Sequence, residues 1–390
     1  MIDFDRNATA PLRPEALAAM SDALAQPWAN PASVHRAGQR ARARLEQARR
    51  GIAAALDNGD GALVFTSGGT ESDALAILGM ARGLRAAGRS CGVACSAIEH
   101  PAVTESVAML RREGFTCVAL PIDRAGRLQP DAVAAAVAAT PALGVVSFTA
   151  AHHELGNTVD VAAMTAAIRA AAPTVLIHVD AVQAAGKLPL SRLRWDVDAL
   201  SISSHKLGGP VGIGALALAQ HVPLLPLHGG GAQQRGRRPG TEPLVLAIGF
   251  DAAVQAAIVA APREHAAMRA SGQRLRAGLQ ALGAELVGDA EQHVGNTALV
   301  RWPGVDGHTL VIALDLAGFA CSTGAACSTG VVEPSRVLRA LGYDADAARG
   351  AVRLSLGPDH RDEHVDALLE ALPPILARVR AATAAGQVAS

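Results

Sequence analysis

Residues 199–210 read ALSISSHKLGGP. Ala199 to Ser203 is a short run of apolar and small residues, the pattern of a buried strand. Lys206 follows closely, and Gly208-Gly209-Pro210 marks a turn. Lysine and arginine together number 35, yet only Lys187 and Lys206 are lysines. Where arginine is the habitual cation, a lysine at a strand end points to a need for an amine. Arginine cannot become a neutral nucleophile, whereas lysine can.

The same arrangement recurs on either side. Leu63-Val64-Phe65 ends at Thr66-Ser67-Gly68-Gly69-Thr70, and a helical pattern starts at Glu71. Cys91 to Ser96 reads as a strand and Pro101 onward as a helix. Leu143 to Phe148 and Thr174 to Asp180 read as strands around a helix from Val161 to Ala171. Asp198 to Ser203 and Ile213 to Leu218 continue the series. Strands alternating with helices predict an α/β fold with a mostly parallel central sheet flanked by helices. The residues with chemistry fall just after strands, where such sheets bind ligands.

After Pro243 the pattern changes. A long helix to Leu282 precedes a strand from Asn296 to Trp302 and a helix from Gly307 to Leu316. A cysteine-bearing loop, a helix from Pro334, a strand from Val352 to Leu356 and a final helix follow. This predicts a large domain over residues 15–250. A smaller α+β domain is expected from residues 1–14 and 251–390, with the cysteine loop at about 320–333.

Half of the 390 residues are hydrophobic, 18% are charged, and the formal net charge is zero. That supports an extensive core and excludes an overall electrostatic nucleic-acid binder. Arg40, Arg42, Arg44, Arg49 and Arg50 read as the solvated face of a helix. Five cysteines, an odd number in a long chain, are not a disulfide framework. The start, MIDFDRNATAPL, has no apolar signal core, and no unbroken run approaches the ~20 residues of a membrane span. The expectation is a reduced, cytoplasmic protein without membrane or nucleic-acid partners.

An amine at a strand end is what a Schiff base with pyridoxal 5'-phosphate requires. The pyridine nitrogen then wants a carboxylate, and Asp180 ends an apolar strand. Gln183, three residues on, would face the phenolic oxygen. The phosphate wants backbone amides and hydroxyls at a helix start. Ser67-Gly68-Gly69-Thr70 offers them, and Ser203 and His205 flank the lysine. In a chain with 3% aromatic residues, His100 is the flat group after a strand that could stack on the ring.

These residues carry a resemblance that covers nearly the whole chain. It runs through Asn30-Pro31-Ala32-Ser33-Val34-His35, Thr66 to Glu71, Glu99-His100-Pro101, Asp180 to Gln183 and Ser204-His205-Lys206. It continues through Arg235 to Glu242, Ser322 to Cys327, Glu333-Pro334-Ser335 and Val352 to Gly357. The sequence resembles the cysteine desulfurases of the nitrogen-fixation and iron–sulfur assembly type. These lie in the class V aminotransferase family of fold-type I pyridoxal phosphate enzymes.

The resemblance implies a sulfurtransferase that converts L-cysteine to L-alanine through a persulfide on Cys327. Sulfur would pass to a protein acceptor for iron–sulfur cluster or other sulfur-containing product assembly. Lys206 would bind the cofactor covalently, Asp180 pair with its nitrogen, Gln183 contact its phenolic oxygen, and His100 stack on it and shuttle protons. Gly69, Thr70, Ser203 and His205 would bind the phosphate. Thr241 would reach the phosphate of a second subunit, giving a homodimer with shared sites. Arg353 would clamp the substrate carboxylate, with Asn7 and Asn30 as further substrate-pocket candidates. The same site could serve a selenocysteine lyase or a cysteine sulfinate desulfinase. A non-catalytic partner of a sulfur-transfer complex is the reading from another class.

Family members usually carry Asn-Asn-Glu where this chain has His152-His153-Glu154. His153 falls on the amide that contacts the phenolic oxygen. The expectation is that His153 makes that contact and, by gaining a charge near neutral pH, shifts the cofactor's titration. Neighbouring residues on an extended segment point apart, so the histidine pair is not read as a metal site. In the loop CSTGAACSTG, residues 321–330, Cys327 matches the family nucleophile. Cys321 is read by default as a small core residue, with a resolving thiol as the alternative.

Overall fold

The computed structural model describes residues 1–323 and 334–388. A two-residue strand, β1 (Ile2–Asp3), precedes helices α1 (Pro14–Leu24) and α2 (Arg36–Ala55). The central sheet is built from β2 (Ala62–Thr66), β3 (Gly92–Ser96), β4 (Cys117–Leu120), β5 (Leu143–Thr149), β6 (Leu176–Asp180), β7 (Ala199–Ser203) and β8 (Gly214–Leu218). Between them lie α3 (Gly69–Ala86), α4 (Pro101–Arg112), α5 (Pro130–Ala138) and α6 (Val161–Ala171). The long helix α7 (Leu244–Ala281) follows. Last come β9 (Glu285–Val287), β10 (Thr297–Arg301), α8 (Gly307–Leu316), β11 (Phe319–Ala320), β12 (Ser322–Thr323), α9 (Arg336–Ala340), α10 (Ala345–Arg349), β13 (Ala351–Ser355) and α11 (Asp362–Val388).

The central sheet has the order β2-β8-β7-β6-β5-β3-β4. All neighbours are parallel except β8, which runs antiparallel to both β2 and β7. Every residue of β5, β6 and β7 is buried, as expected of strands covered on both faces. Separate apolar clusters cover the two faces. One includes Leu45, Phe148 and Phe250, and the other Leu75, Met80 and Leu110. A four-stranded antiparallel sheet, β12-β13-β10-β9, packs with α8 and α11 around Trp302.

Two features join these parts. Helix α7 contributes Ile248 and Phe250 to the large core and Leu275 and Leu279 to the small one. By length and composition it could cross a membrane, although Asp251 and Gln255 interrupt its apolar run. In the fold, Ala247, Ile248, Phe250, Ala253, Val254 and Ala257 are buried in protein. The first residues of the chain form the second link. β1 pairs with β11, Asp5 bridges to Ser355, and Ala10 donates to the His205 carbonyl. The arginine-rich face of α2 is mostly exposed, but Arg49 is not a solvated residue. It donates to Glu242 at 2.7 Å, to Gln234 at 2.9 Å and to the Leu63 carbonyl at 2.6 Å.

Candidate active site

A cavity of about 500 Å³ opens at the carboxyl ends of the parallel strands. Asp180 ends β6 there, and its Oδ1 accepts from the Val182 amide at 2.8 Å. Burial raises its carboxyl above the ordinary range, which the nearby Lys206 charge opposes. Lys206 lies in a 3-10 turn directly after β7. Its Nζ donates to the carbonyls of Asn7 at 2.6 Å and Ala8 at 2.8 Å.

Gly69 and Thr70 begin α3 and line the same cavity. That helix has no side-chain cap, so its first amides remain for an incoming acceptor. Ser203 and His205 stand across from them in the lining. The Ser203 hydroxyl is buried without a partner, which is unfavourable unless something fills the place.

His100 caps α4, and its Nδ1 accepts from the Ala102 amide at 3.1 Å. That leaves the proton of the neutral ring on Nε2. Burial, reinforced by His153 and Lys206, pushes its pKa down to about 3. The His153 ring meets His100 edge-on at 5.2 Å and stacks on His152 at 4.6 Å. His153 is also pushed down to about 3, by burial first and then by the charges of Arg353 and Lys206. Burial thus works against the expected gain of a charge by His153 near neutral pH. His152 has a structural task. Its Nδ1 accepts from the amides of Glu154 and Leu155, and Nε2 faces the Ile98 carbonyl at 2.7 Å.

Arg353 reaches the cavity from β13 and is 6% exposed. Its NH1 donates to the His153 carbonyl at 3.1 Å and its NH2 to Asp5 Oδ1 at 2.6 Å. Nε is buried without a partner. Asn7 lines the cavity but has its side chain engaged by protein. Its Nδ2 donates to Thr297 Oγ1 at 2.8 Å and to the His153 carbonyl at 3.3 Å. Its Oδ1 accepts from Lys187 at 2.9 Å and from Asn296 at 3.2 Å. That amide therefore also tethers the first segment to β10 and its neighbour Asn296.

Gln183 lines the cavity as expected. Asn30 does not line it, nor does Thr241, which was expected to serve a second subunit. Asn30 is exposed, and its side chain accepts from the Ala32 amide in a local turn. Thr241 is exposed. Cys327 lies outside the described residues. Cys321 packs partly buried on the small-sheet core, and burial pushes its thiol up to about 12. That favours the core reading over a resolving thiol, which would need thiolate character.

Sequence reasoning missed three groups. Asp73 and Glu99 line the cavity near Asp180, each with one buried carboxyl oxygen lacking a partner. Burial and then the Asp180 charge raise both, Glu99 to about 8. Lys187 stands behind Gln183 and Asn7. Its scarcity as a lysine was the available signal, and it lacked only a strand end to draw notice.

The Aminotransferase class-V family profile matches residues 2–368, and the chain belongs to that family. Within it, the chain is 40% identical over 384 residues to a cysteine desulfurase of Cereibacter sphaeroides, covering 97% of this chain and 96% of the relative. An IscS-like cysteine desulfurase of Mycobacterium tuberculosis is 37% identical over 395 residues, the full length of both. Among solved structures, a NifS-like protein superposes with a TM-score of 0.87 at 31% identity, over 97% of this chain and 99% of that one. A structure of SspA in complex with cysteine gives 0.77 at 27% identity, over 92% and 99%.

Proposed function

We propose that this chain is a pyridoxal 5'-phosphate-dependent cysteine desulfurase that converts L-cysteine to L-alanine and holds the sulfur as a persulfide on Cys327. The observation that carries the reading is the pairing of Lys206 and Asp180 at adjacent strand ends of one cavity, with Arg353 in its wall. The names of the curated relatives support it, as does the relative solved with cysteine.

The residues fit the cofactor. The uncapped start of α3, Thr70, the orphaned Ser203 hydroxyl and His205 make a phosphate cradle. Asp180 would hold a protonated pyridine nitrogen, and Gln183 and His153 would face the phenolic oxygen. When bound, the cofactor supplies an electron sink for bond breaking at the amino-acid carbon. Arg353 orients the substrate carboxylate. Lys206 takes the α-proton, and the neutral His100 carries protons at Nε2. The Cys327 thiolate forms an S–S bond with the substrate sulfur as the substrate C–S bond breaks, and alanine leaves.

The same reading makes the protein a cytoplasmic homodimer that hands sulfur to a protein acceptor for iron–sulfur cluster assembly. Exposed Thr241 would then serve the phosphate of a second copy, and Asn30 lies outside its own chain's cavity. Residues 15–250 form the cofactor-binding unit, and residues 1–14 and 251–390 the smaller one, with separate apolar cores in support.

Incubation with L-cysteine tests the proposal. Alanine should form and mass spectrometry should place a persulfide on Cys327. Cys327→Ala should lose sulfide release. Absence of both alanine and persulfide from protein carrying the cofactor would overturn it. Retained selenide release from selenocysteine in Cys327→Ala would favour the lyase reading.

A further inference from the structure

The only two lysines of the chain meet at one residue. Lys206 Nζ donates to the Asn7 main-chain carbonyl at 2.6 Å. Lys187 Nζ donates to Asn7 Oδ1 at 2.9 Å and to Gln183 Oε1 at 2.7 Å. Gln183 Nε2 donates to the Asn7 carbonyl at 2.9 Å. An ammonium is donor-only, so it can donate only to the oxygen end of an amide. Contact with Lys187 therefore fixes the sense of both amides. Gln183 turns its oxygen toward Lys187 and keeps its NH2 group as a donor on the other side. That NH2 group gives one hydrogen to Asn7 and has a second to give.

The surroundings of Lys187 are rich in charge, but none of it neutralises the amine. Lys206 and Arg353 act on it as like charges. From the first segment come Arg6 and Arg13, from α7 Glu264 and His265, and from beyond β13 Asp359. Glu264 pairs with Arg13 at 2.6 Å and Asp359 with Arg6 at 2.5 Å. His265 turns to the Gly186 carbonyl at 2.9 Å. Among the described residues no carboxylate contacts the Lys187 amine. Burial and the two like charges push it down to about 7, so the amine acts as a cation on the acid side of that value.

We propose that Lys187 is a positioning residue of the cofactor site, which locks Gln183 as a hydrogen-bond donor toward the cavity and sets a second cation behind Lys206. This rests on the pyridoxal phosphate reading. A compact ammonium suits the task, because it can serve two amide oxygens from one point, where a guanidinium needs a flat slot. A donor and a cation on this side both oppose protonation of the lysine-linked cofactor. Loss of Lys187 therefore raises the pH at which that link takes up its proton.

The test uses cofactor-loaded protein and the pH midpoint of its visible absorbance. Lys187→Met should move the midpoint up by about one unit and weaken cofactor retention in dialysis against buffer. Gln183→Leu added to Lys187→Met should move it little further, since the two act as one unit. An unshifted midpoint with unchanged retention in Lys187→Met overturns the inference. Lys187→Gln, which keeps a donor without the charge, is the second variant should Lys187→Met not fold. A midpoint there equal to the wild type also overturns it. A wild-type protein with no borohydride-sensitive band would instead overturn the cofactor reading itself.

Discussion

Arg353 and Asp5 are joined at 2.6 Å, so the guanidinium proposed to hold a substrate carboxylate is already aimed by an acid of this chain. The planar fork holds Asp5 with one nitrogen and the His153 carbonyl with another, leaving Nε without a partner. Arg353→Lys keeps the charge and loses the fork. It should raise KM for L-cysteine by roughly 10- to 100-fold, with a smaller change in kcat. Steady-state alanine formation checks this. An unchanged KM would place the carboxylate elsewhere.

Burial and the charges of Arg353 and Lys206 disfavour the charged form of His153. Its pKa of about 3 lies well below the working range. His153→Asn should therefore leave the shape of the cofactor's absorbance profile unchanged between about pH 5.5 and 8. A step near pH 6.5 present only in the wild type would show that the ring does titrate in the loaded site.

His178 tests the same physics away from the chemistry. It is fully buried between Ser147 Oγ at 2.9 Å and Ser201 Oγ at 2.8 Å, and burial pushes it down to about 3. Its folded pKa is below the unfolded value near 6.5. The unfolded chain therefore binds the extra proton as pH falls below about 6.5, and stability present above that pH is lost on acidification. Between about pH 7.5 and 5.5 the wild type should lose ~1.4 kcal/mol more than His178→Gln. Urea unfolding at the two pH values measures the difference.

Gly214 lies against the glycine turn that begins α3. A Cβ there would come 2.6 Å from the Gly68 carbonyl carbon and 2.8 Å from its Cα. Backbone cannot yield as a side-chain tip can, so Gly214→Ala must shift the turn. Cofactor affinity should fall by at least roughly tenfold, the effect of ~1.4 kcal/mol. Spectroscopic titration with pyridoxal phosphate reads it directly.

Much of this site was legible because buried parallel strands are continuous apolar runs and the polar residues after them stand out. Asp180, Lys206 and the turn at Gly69 were found that way. The antiparallel course of β8 was not read, although the ten residues between Ser203 and Gly214 are too few for a crossover helix. The tethering task of Asn7 was not readable. It depends on Thr297 and Asn296, distant partners that only the folded chain brings together. Asn30 shows the converse: a motif of short polar residues also makes a local turn, and here it does, outside its own chain's cavity. The reading of Lys206 used rarity plus a strand end, and Lys187 had only rarity.

The opening segment has a temporal consequence. Asp5 and Arg353 are separated by 348 residues, and Phe4 and Ser355 by 351. A ribosome therefore makes the Asp5 side of the site long before its Arg353 counterpart. The cofactor-binding strands can fold in between, but Asn7 cannot be moored until β10 has emerged. Such distant closure is slow to find. The segment at Asp5 and Asn7 is thus among the last to settle, and a nascent chain stalled before β13 would carry Lys206 and Asp180 without Arg353 beside them.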